Sequence, residues 1–182
     1  NEFLKFCRPV SRLTGSEWAD AKRFISLGTT AEPGPWRTYR TPYLQEPLDA
    51  ATDKTTEKVV LMCASQLGKS ELLLNVLGYY ADQEPSPQLM LQPTVEMAQA
   101  FSKERIAPMF RDSPGLAGKL IEGKEGRGTE KKSSTTILMK HYPGGFLALV
   151  GANSPAGLAS RPIRILLADE VDRYPESAGK EG

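Results

Sequence analysis

Thiol and imidazole are scarce in this chain. Its 182 residues hold two cysteines, Cys7 and Cys63, and one histidine, His141. Two cysteines are too few for a disulfide framework, and Cys63 lies inside an apolar run, so both are expected as thiols in a reducing compartment. A single histidine with no Cys/His cluster speaks against a structural zinc site. Neither sign of charge is in excess: 23 Lys and Arg face 22 Asp and Glu, a net charge of +1. No global basic field announces a polyanion, and any nucleic-acid contact has to come from a local patch. No apolar run approaches the ~18 residues of a membrane span, and the N-terminus carries no signal-peptide core. What is present, 40% hydrophobic and 25% charged residues, is ordinary for a globular chain. The length suits one domain with a real core. A start at Asn1 and an end soon after Glu170 read as a piece of something longer.

The chemistry gathers at two places. Val59-Val-Leu-Met-Cys63 reads as a short strand buried on both faces. A tight turn follows through Ala64, Ser65, Gln66, Leu67 and Gly68, and Lys69 and Ser70 open a helix that runs to Tyr80. Strand, turn, Gly-Lys-Ser and helix is the layout of a phosphate-binding loop, in which backbone N–H groups and a helix N-terminus converge on an anion. Lys69 is expected to reach the β- and γ-phosphates of ATP, and Ser70 to hold Mg²⁺ through its hydroxyl. The first glycine of the usual Gly-x-x-x-x-Gly-Lys-[Ser/Thr] pattern is missing, its place taken by Cys63. Taken alone, the tripeptide also suits an ordinary helix start. The second place is Ile163-Arg-Ile-Leu-Leu-Ala-Asp-Glu170, an apolar strand ending in two acids. Ligands of parallel sheets lie beyond the carboxyl ends of the strands. A strand lying beside the Val59–Cys63 strand would place Asp169 next to Ser70, where it is expected to bind Mg²⁺ directly or through water, with Glu170 as the group that polarises the attacking water. Mg²⁺ takes one or two carboxylates plus phosphate oxygens, which fits so short a supply of acids. An edge strand running into an acidic turn is the plainer reading.

Between these motifs the chain alternates. Residues 1–14 form a basic lead-in with Lys5, Arg8 and Arg12. Ser16–Ile25 reads as a helix capped by Ser16, with Trp18, Ala21 and Ile25 on its packing face. Gly28–Pro42 is too rich in proline and glycine for regular structure, and Pro42 leads into a short helix. Tyr43 and Gln45, just upstream of the phosphate loop, either form a base pocket or merely pin the loop, as Trp36 is expected to do. Gln88–Gln92 is a second short strand. Thr94 caps a helix over 96–110 that Pro108 ends or kinks. Gln99, Lys103 and Arg105 are expected on or near its outer side. Arg127, Lys131 and Lys132 form a local basic patch suited to a phosphate backbone. Thr135–Tyr142 and Gly145–Gly151 read as two strands of a hairpin turned by Pro143-Gly144. The sum is an α/β fold, a mostly parallel sheet flanked by helices.

Ala64-Ser-Gln-Leu-Gly-Lys-Ser70 resembles the phosphate loop of phage terminase large subunits, which also lacks the first glycine. Pro35-Trp-Arg-Thr-Tyr-Arg-Thr-Pro-Tyr43, Gln92-Pro-Thr94 with Ala98, Gly151-Ala-Asn-Ser-Pro-Ala-Gly-Leu-Ala-Ser-Arg161 and Asp169-Glu-Val-Asp-Arg-Tyr-Pro175 are similar to the lambda-type, GpA-like branch. The resemblance covers about residues 33–175. It implies a P-loop NTPase core of the ASCE type, with the hairpin preceding the Walker B strand 163–168. On that reading 1–32 is a helical lead-in, 33–175 the C-terminally truncated ATPase core, and 176–182 a tail. Implied with it are ATP and Mg²⁺, and a motor that drives double-stranded DNA through a portal into a procapsid. The implied partners are a terminase small subunit, the portal protein and further copies of the chain, in the host bacterial cytoplasm and transiently docked on the portal, with no membrane. Some terminase loops carry an arginine where Ser65 stands. Arg161 is then either the catalytic arginine that stabilises the γ-phosphate charge or a surface residue before a buried strand. The two core motifs also suit a superfamily-2-like helicase or another nucleoside triphosphatase, although Val171-Asp172 departs from the DEAD/DEAH pattern. An inactive prophage remnant serving as an interaction module is the third reading.

Overall fold

The computed structural model describes residues 12–28, 32–121, 135–154 and 162–176. Helix α1, Gly15–Lys22, starts on a capping box. Thr14 Oγ1 accepts from the Glu17 N–H at 3.3 Å, and Glu17 Oε2 accepts from the Thr14 N–H at 2.8 Å, so two orphan donors are satisfied reciprocally. The cap is thus Thr14 and not Ser16, whose N–H and hydroxyl both go to Asp49, at 2.8 and 3.0 Å. Trp18 and Ala19 are the helix's buried apolar residues, while Ala21 faces out. The helix stops at Lys22 because the chain turns into a two-stranded ribbon: β1, Phe24–Ile25, pairs antiparallel with β2, Gly34–Pro35. A pairing therefore exists inside the stretch expected to be irregular. Trp36 is buried, its indole N–H donating to Thr38 Oγ1 at 3.1 Å, which pins the segment to the core. A 3₁₀ turn, Pro42–Leu44, leads into α2, Gln45–Thr52.

Helix α3, Lys69–Asp82, is the centre of the packing. Nine of its fourteen residues are buried, from Leu72 and Leu74 to Ala81, so it is apolar nearly all round, as a core helix is. Trp18 brings the outer edge of its six-membered ring against Gly78, where a Cβ would overlap the indole carbons. Gly78→Ala is expected to cost about 2 kcal/mol through overpacking, read as a lower denaturation midpoint with unchanged slope.

The main sheet holds β3, Gln88–Gln92; β4, Met139–Tyr142; β5, Gly145–Gly151; and β6, Ile165–Ala168. Its spatial order is β4-β5-β3-β6. β3 runs parallel to both β5 and β6, with Leu89 opposite Ala148 and Leu166, while β4 is antiparallel to β5. The sheet is therefore mixed. Met90, Leu147, Leu149 and Leu167 join the helices in the large core, and Leu89, Ala148 and Val150 form a smaller cluster, the two sets alternating along the pleat.

A long crossover joins β3 to the hairpin-side strands. Thr94 caps α4, Val95–Phe101, by accepting from the Met97 N–H at 3.2 Å. The helix then widens into a π segment, Ser102–Ile106, and continues as α5, Ala107–Asp112. Pro108 does not end it. Proline removes an N–H and crowds the carbonyl four residues back. Here the wider turn lies immediately N-terminal to it.

Val59–Cys63 departs from expectation. It is not a strand, and no described strand pairs with it. Val60 is 77% and Met62 98% exposed; only Leu61 of the run packs on the core. A ladder needs a partner, and apolar content alone does not supply one. β6 is left as a sheet edge, with Leu166 60% exposed.

Candidate functional site

The turn Ala64–Gly68 is shaped by two left-handed residues, Gln66 at φ 61° and Gly68 at φ 82°. Gly68 can hold that angle without a Cβ penalty; Gln66 holds it at a cost, a mark of an over-determined loop. Alternation of this kind curls successive N–H groups around an anion. The first bond of α3 runs from the Leu72 N–H to the Gly68 carbonyl at 3.0 Å. The N–H groups of Lys69, Ser70 and Glu71 therefore precede the helical ladder and are open to an external acceptor. Lys69 Nζ donates back to the Cys63 carbonyl at 3.4 Å, a long bond on the loop's own backbone.

From the other side comes the end of β6. The Asp169 N–H donates to the Leu91 carbonyl at 3.1 Å, which prolongs the ladder by one residue and aims its side chain at α3. The Ser70 hydroxyl donates to Asp169 Oδ2 at 3.1 Å across 99 positions of sequence. Gln92 Nε2, at the end of β3, donates to the same oxygen at 3.4 Å. Asp169 and Gln92 are both buried. Tyr174 closes the back of this corner, its hydroxyl donating to the Leu91 carbonyl at 3.1 Å. Burial first, then the Asp169 charge, push the phenol up to about 12, so it stays a neutral donor.

The hydroxyl of Ser70 and the carboxylate of Asp169 are hard oxygen donors within one coordination sphere of each other, and they suit Mg²⁺, which leaves its remaining positions to water and phosphate. No group of three or more His, Cys, Asp and Glu residues that could hold a metal without a ligand's help occurs among the described residues.

Other expected residues lie further off. Glu170 sits at φ 51° and pairs with Arg173 at 2.9 Å, its side chain 37% exposed. Leu44 Cδ1 stands 3.1 Å from where a Cβ on Gly68 would lie; Tyr43, its neighbour in sequence, is 55% exposed. Gln45 lines a cavity of about 860 Å³ with Arg12, Asp49, Lys54 and Tyr79, to which no residue of 64–70 contributes. Arg161 and the patch of Arg127, Lys131 and Lys132 lie outside the described residues. Sequence reasoning gave no role to Gln92, and it read Arg105 as outward-facing. Arg105 instead bonds Glu71. A glutamine ending a buried strand opposite an acid-terminated one was the available signal for the first. No local signal marked the second, because the contact spans 34 positions.

A family model described as phage terminase large subunit gpA, ATPase domain, matches residues 30–182. The terminase large subunits of Enterobacteria phage P21 and of Escherichia phage lambda are each 25% identical to the chain over 171 residues, which is 93% of the chain and 26% and 25% of those proteins. The chain thus spans about a quarter of the length of these curated relatives. No solved structure matches it. The matched range takes in both the Gly-Lys-Ser turn and the acidic strand end, and the chain belongs to the family of phage terminase large subunit gpA ATPase domains.

Proposed function

We propose that this chain binds Mg·ATP at the junction of Ala64–Ser70 and Asp169–Glu170, and that its hydrolysis there drives packaging of double-stranded viral DNA. The single observation that carries the reading is the 3.1 Å contact between Ser70 and Asp169. Two residues so distant in sequence meet where the phosphate loop and an acid-ended strand converge. In this reading Ala64, Ser65, Gln66, Leu67 and Gly68 wrap the triphosphate with backbone N–H groups, and Lys69 exchanges its weak bond to Cys63 for the β- and γ-phosphates. Ser70 and Asp169 would hold Mg²⁺, which when bound neutralises charge developing on the phosphates. Gln92 keeps the Asp169 carboxylate turned toward Ser70. Glu170 takes the proton of the attacking water. An exposed ion pair such as Glu170–Arg173 is worth about 0–1 kcal/mol, so turning the carboxylate inward costs little. Tyr43 and Gln45 are the base-side residues and Arg161 the γ-phosphate arginine. The named relatives are terminase large subunits, which favours double-stranded DNA, a small subunit, a portal and further copies of the chain as partners, met in the host bacterial cytoplasm.

Glu170→Gln tests the assignment. It is expected to leave Mg·ATP affinity nearly intact and to lower turnover on the order of 10²-fold, the contribution of a positioned general base. Unchanged turnover in the assembled motor removes Glu170 from the chemistry. Ser70→Ala or Asp169→Asn with undiminished Mg²⁺-dependent affinity removes the site itself.

A further inference from the structure

Directly after the proposed metal-binding hydroxyl stands a carboxylate that the nucleotide chemistry does not use. Glu71 lies in the first turn of α3, and its side chain is only 12% exposed. Each of its oxygens is taken by a different arginine from a different part of the fold. Oε2 accepts from Arg23 Nη2 at 3.0 Å, and Oε1 accepts from Arg105 Nη2 at 2.7 Å. The two arginines are not alike. Arg23, between α1 and β1, is 3% exposed and also donates to the Phe24 carbonyl. Burial disfavours its cation, and Glu71 offsets that only in part. Arg105 is 28% exposed and stands in the π segment Ser102–Ile106. π-turns inside α-helices are rare, and those that occur are frequently at functional sites. The Ser102 hydroxyl clips its first residue to the Ile137 carbonyl. The same crossover helix starts three residues after Gln92, which touches Asp169. It is therefore tied to the site at both its strand end, through Gln92, and its middle, through Arg105.

We propose that Glu71 and Arg105 form a positioning link that couples nucleotide occupancy of the Ala64–Ser70 loop to the order of the helix over 102–112. This rests on the nucleotide reading of that loop. A phosphate gripped by the N–H groups of residues 69–71 fixes the start of α3 and with it the Glu71 carboxylate. A fixed carboxylate holds Arg105, and Arg105 holds the wide turn. Coupling is reciprocal, so loss of the link weakens nucleotide binding by the factor through which nucleotide orders the helix, ordinarily about 5- to 150-fold. Neither residue touches the reacting atoms; both act through the loop.

Hydrogen exchange on the intact chain, with and without Mg²⁺ and the slowly hydrolysed analogue ATPγS, tests the link. In the wild type, amides of 102–112 are expected to exchange at least about 5-fold more slowly once the analogue is bound. In Arg105→Gln the analogue still binds, more weakly, but protection at 102–112 no longer changes; Arg105→Lys restores part of the change. Glu71→Gln behaves as Arg105→Gln, and the double variant is no worse than either single one, which a purely structural pair of independent sites does not produce. Bound analogue with unaltered exchange at 102–112 in the wild type overturns the link and leaves the nucleotide site standing. Failure of the wild type to bind the analogue overturns the site, and the link with it. Because the wild-type comparison alone can overturn the link, and the variants serve to assign it to Arg105 rather than Gln92, a variant that fails to fold does not shelter the proposal.

Discussion

Lys69→Ala is expected to remove most Mg·ATP affinity and to lower turnover by about 10²–10³-fold, the scale of losing one preorganised charge aimed at the transferring group. Its ammonium belongs to the first residue of α3. It makes only a 3.4 Å bond to a neighbouring carbonyl, so little folded-state stability is at stake in its removal. That separation makes the experiment clean. The melting temperature should stay within a degree or two of wild type while calorimetric or fluorescent-nucleotide binding collapses. Lys69→Arg is expected to fare little better, because a planar guanidinium is not a substitute for a compact ammonium in a tight loop. Equal Mg·ATP binding by wild type and Lys69→Ala removes the phosphate loop from the account, and with it the role given to Ser70.

The sequence carried the site further than it carried the sheet. The turn at Gly68, the cap at Thr94 and the span of Gln88–Gln92 rest on local chemistry: a positive φ, a side-chain oxygen three residues before an N–H, a short apolar run between turn residues. These are legible one segment at a time, and the structure places them where local chemistry puts them. Val59–Cys63 is apolar at all five positions, against three of five in Gln88–Gln92, and yet pairs with no described strand. A strand belongs to a pair, and nothing within five residues states which edge they will meet. The Ser70–Asp169 contact was legible because each end announces its chemistry, a hydroxyl after Gly-Lys and an acid after an apolar strand. Arg105 was not. A single arginine on a helix of mixed polarity reads as a solvated group, and its seat on Glu71 depends on a π segment that has no residue signature.

The largest stability effect is expected at the far end of α3. Asp82 is partly buried, with a side chain only 7% exposed. Its position at a helix C-terminus is the wrong one for an anion, since the helix dipole is negative there. Donors converge on it to offset that. Lys22 Nζ and the Trp18 indole N–H each reach Oδ2 at 2.8 Å, Gln83 Nε2 reaches the same oxygen at 2.9 Å, and Lys119 donates to Oδ1. Burial pushes the carboxyl up, but the hydrogen bonds of Lys119, Lys22, Trp18 and Gln83 outweigh it and hold the group down to about 2, from an ordinary 3.8. A carboxyl whose folded value is the lower one stabilises the fold above its unfolded value and ceases to do so as pH falls through the folded one. That displacement corresponds to roughly 2 kcal/mol, present above about pH 4 and lost toward pH 2. Asp82→Ala adds to this the orphaned indole N–H and two lysines left facing each other, for a total of about 3 kcal/mol at neutral pH. Lys22 and Lys119 are each about a third exposed, so water recovers part of what they lose, which keeps the figure at the low end of that for broken buried pairs. Urea titrations of wild type and Asp82→Asn at pH 7, 5 and 3 read the effect directly. The gap between the two proteins should be widest at pH 7 and close as the wild-type carboxyl takes up its proton. A gap that is the same at pH 3 as at pH 7 means that shape, and not charge, is what Asp82 contributes where α1, α3 and the Lys119 segment meet.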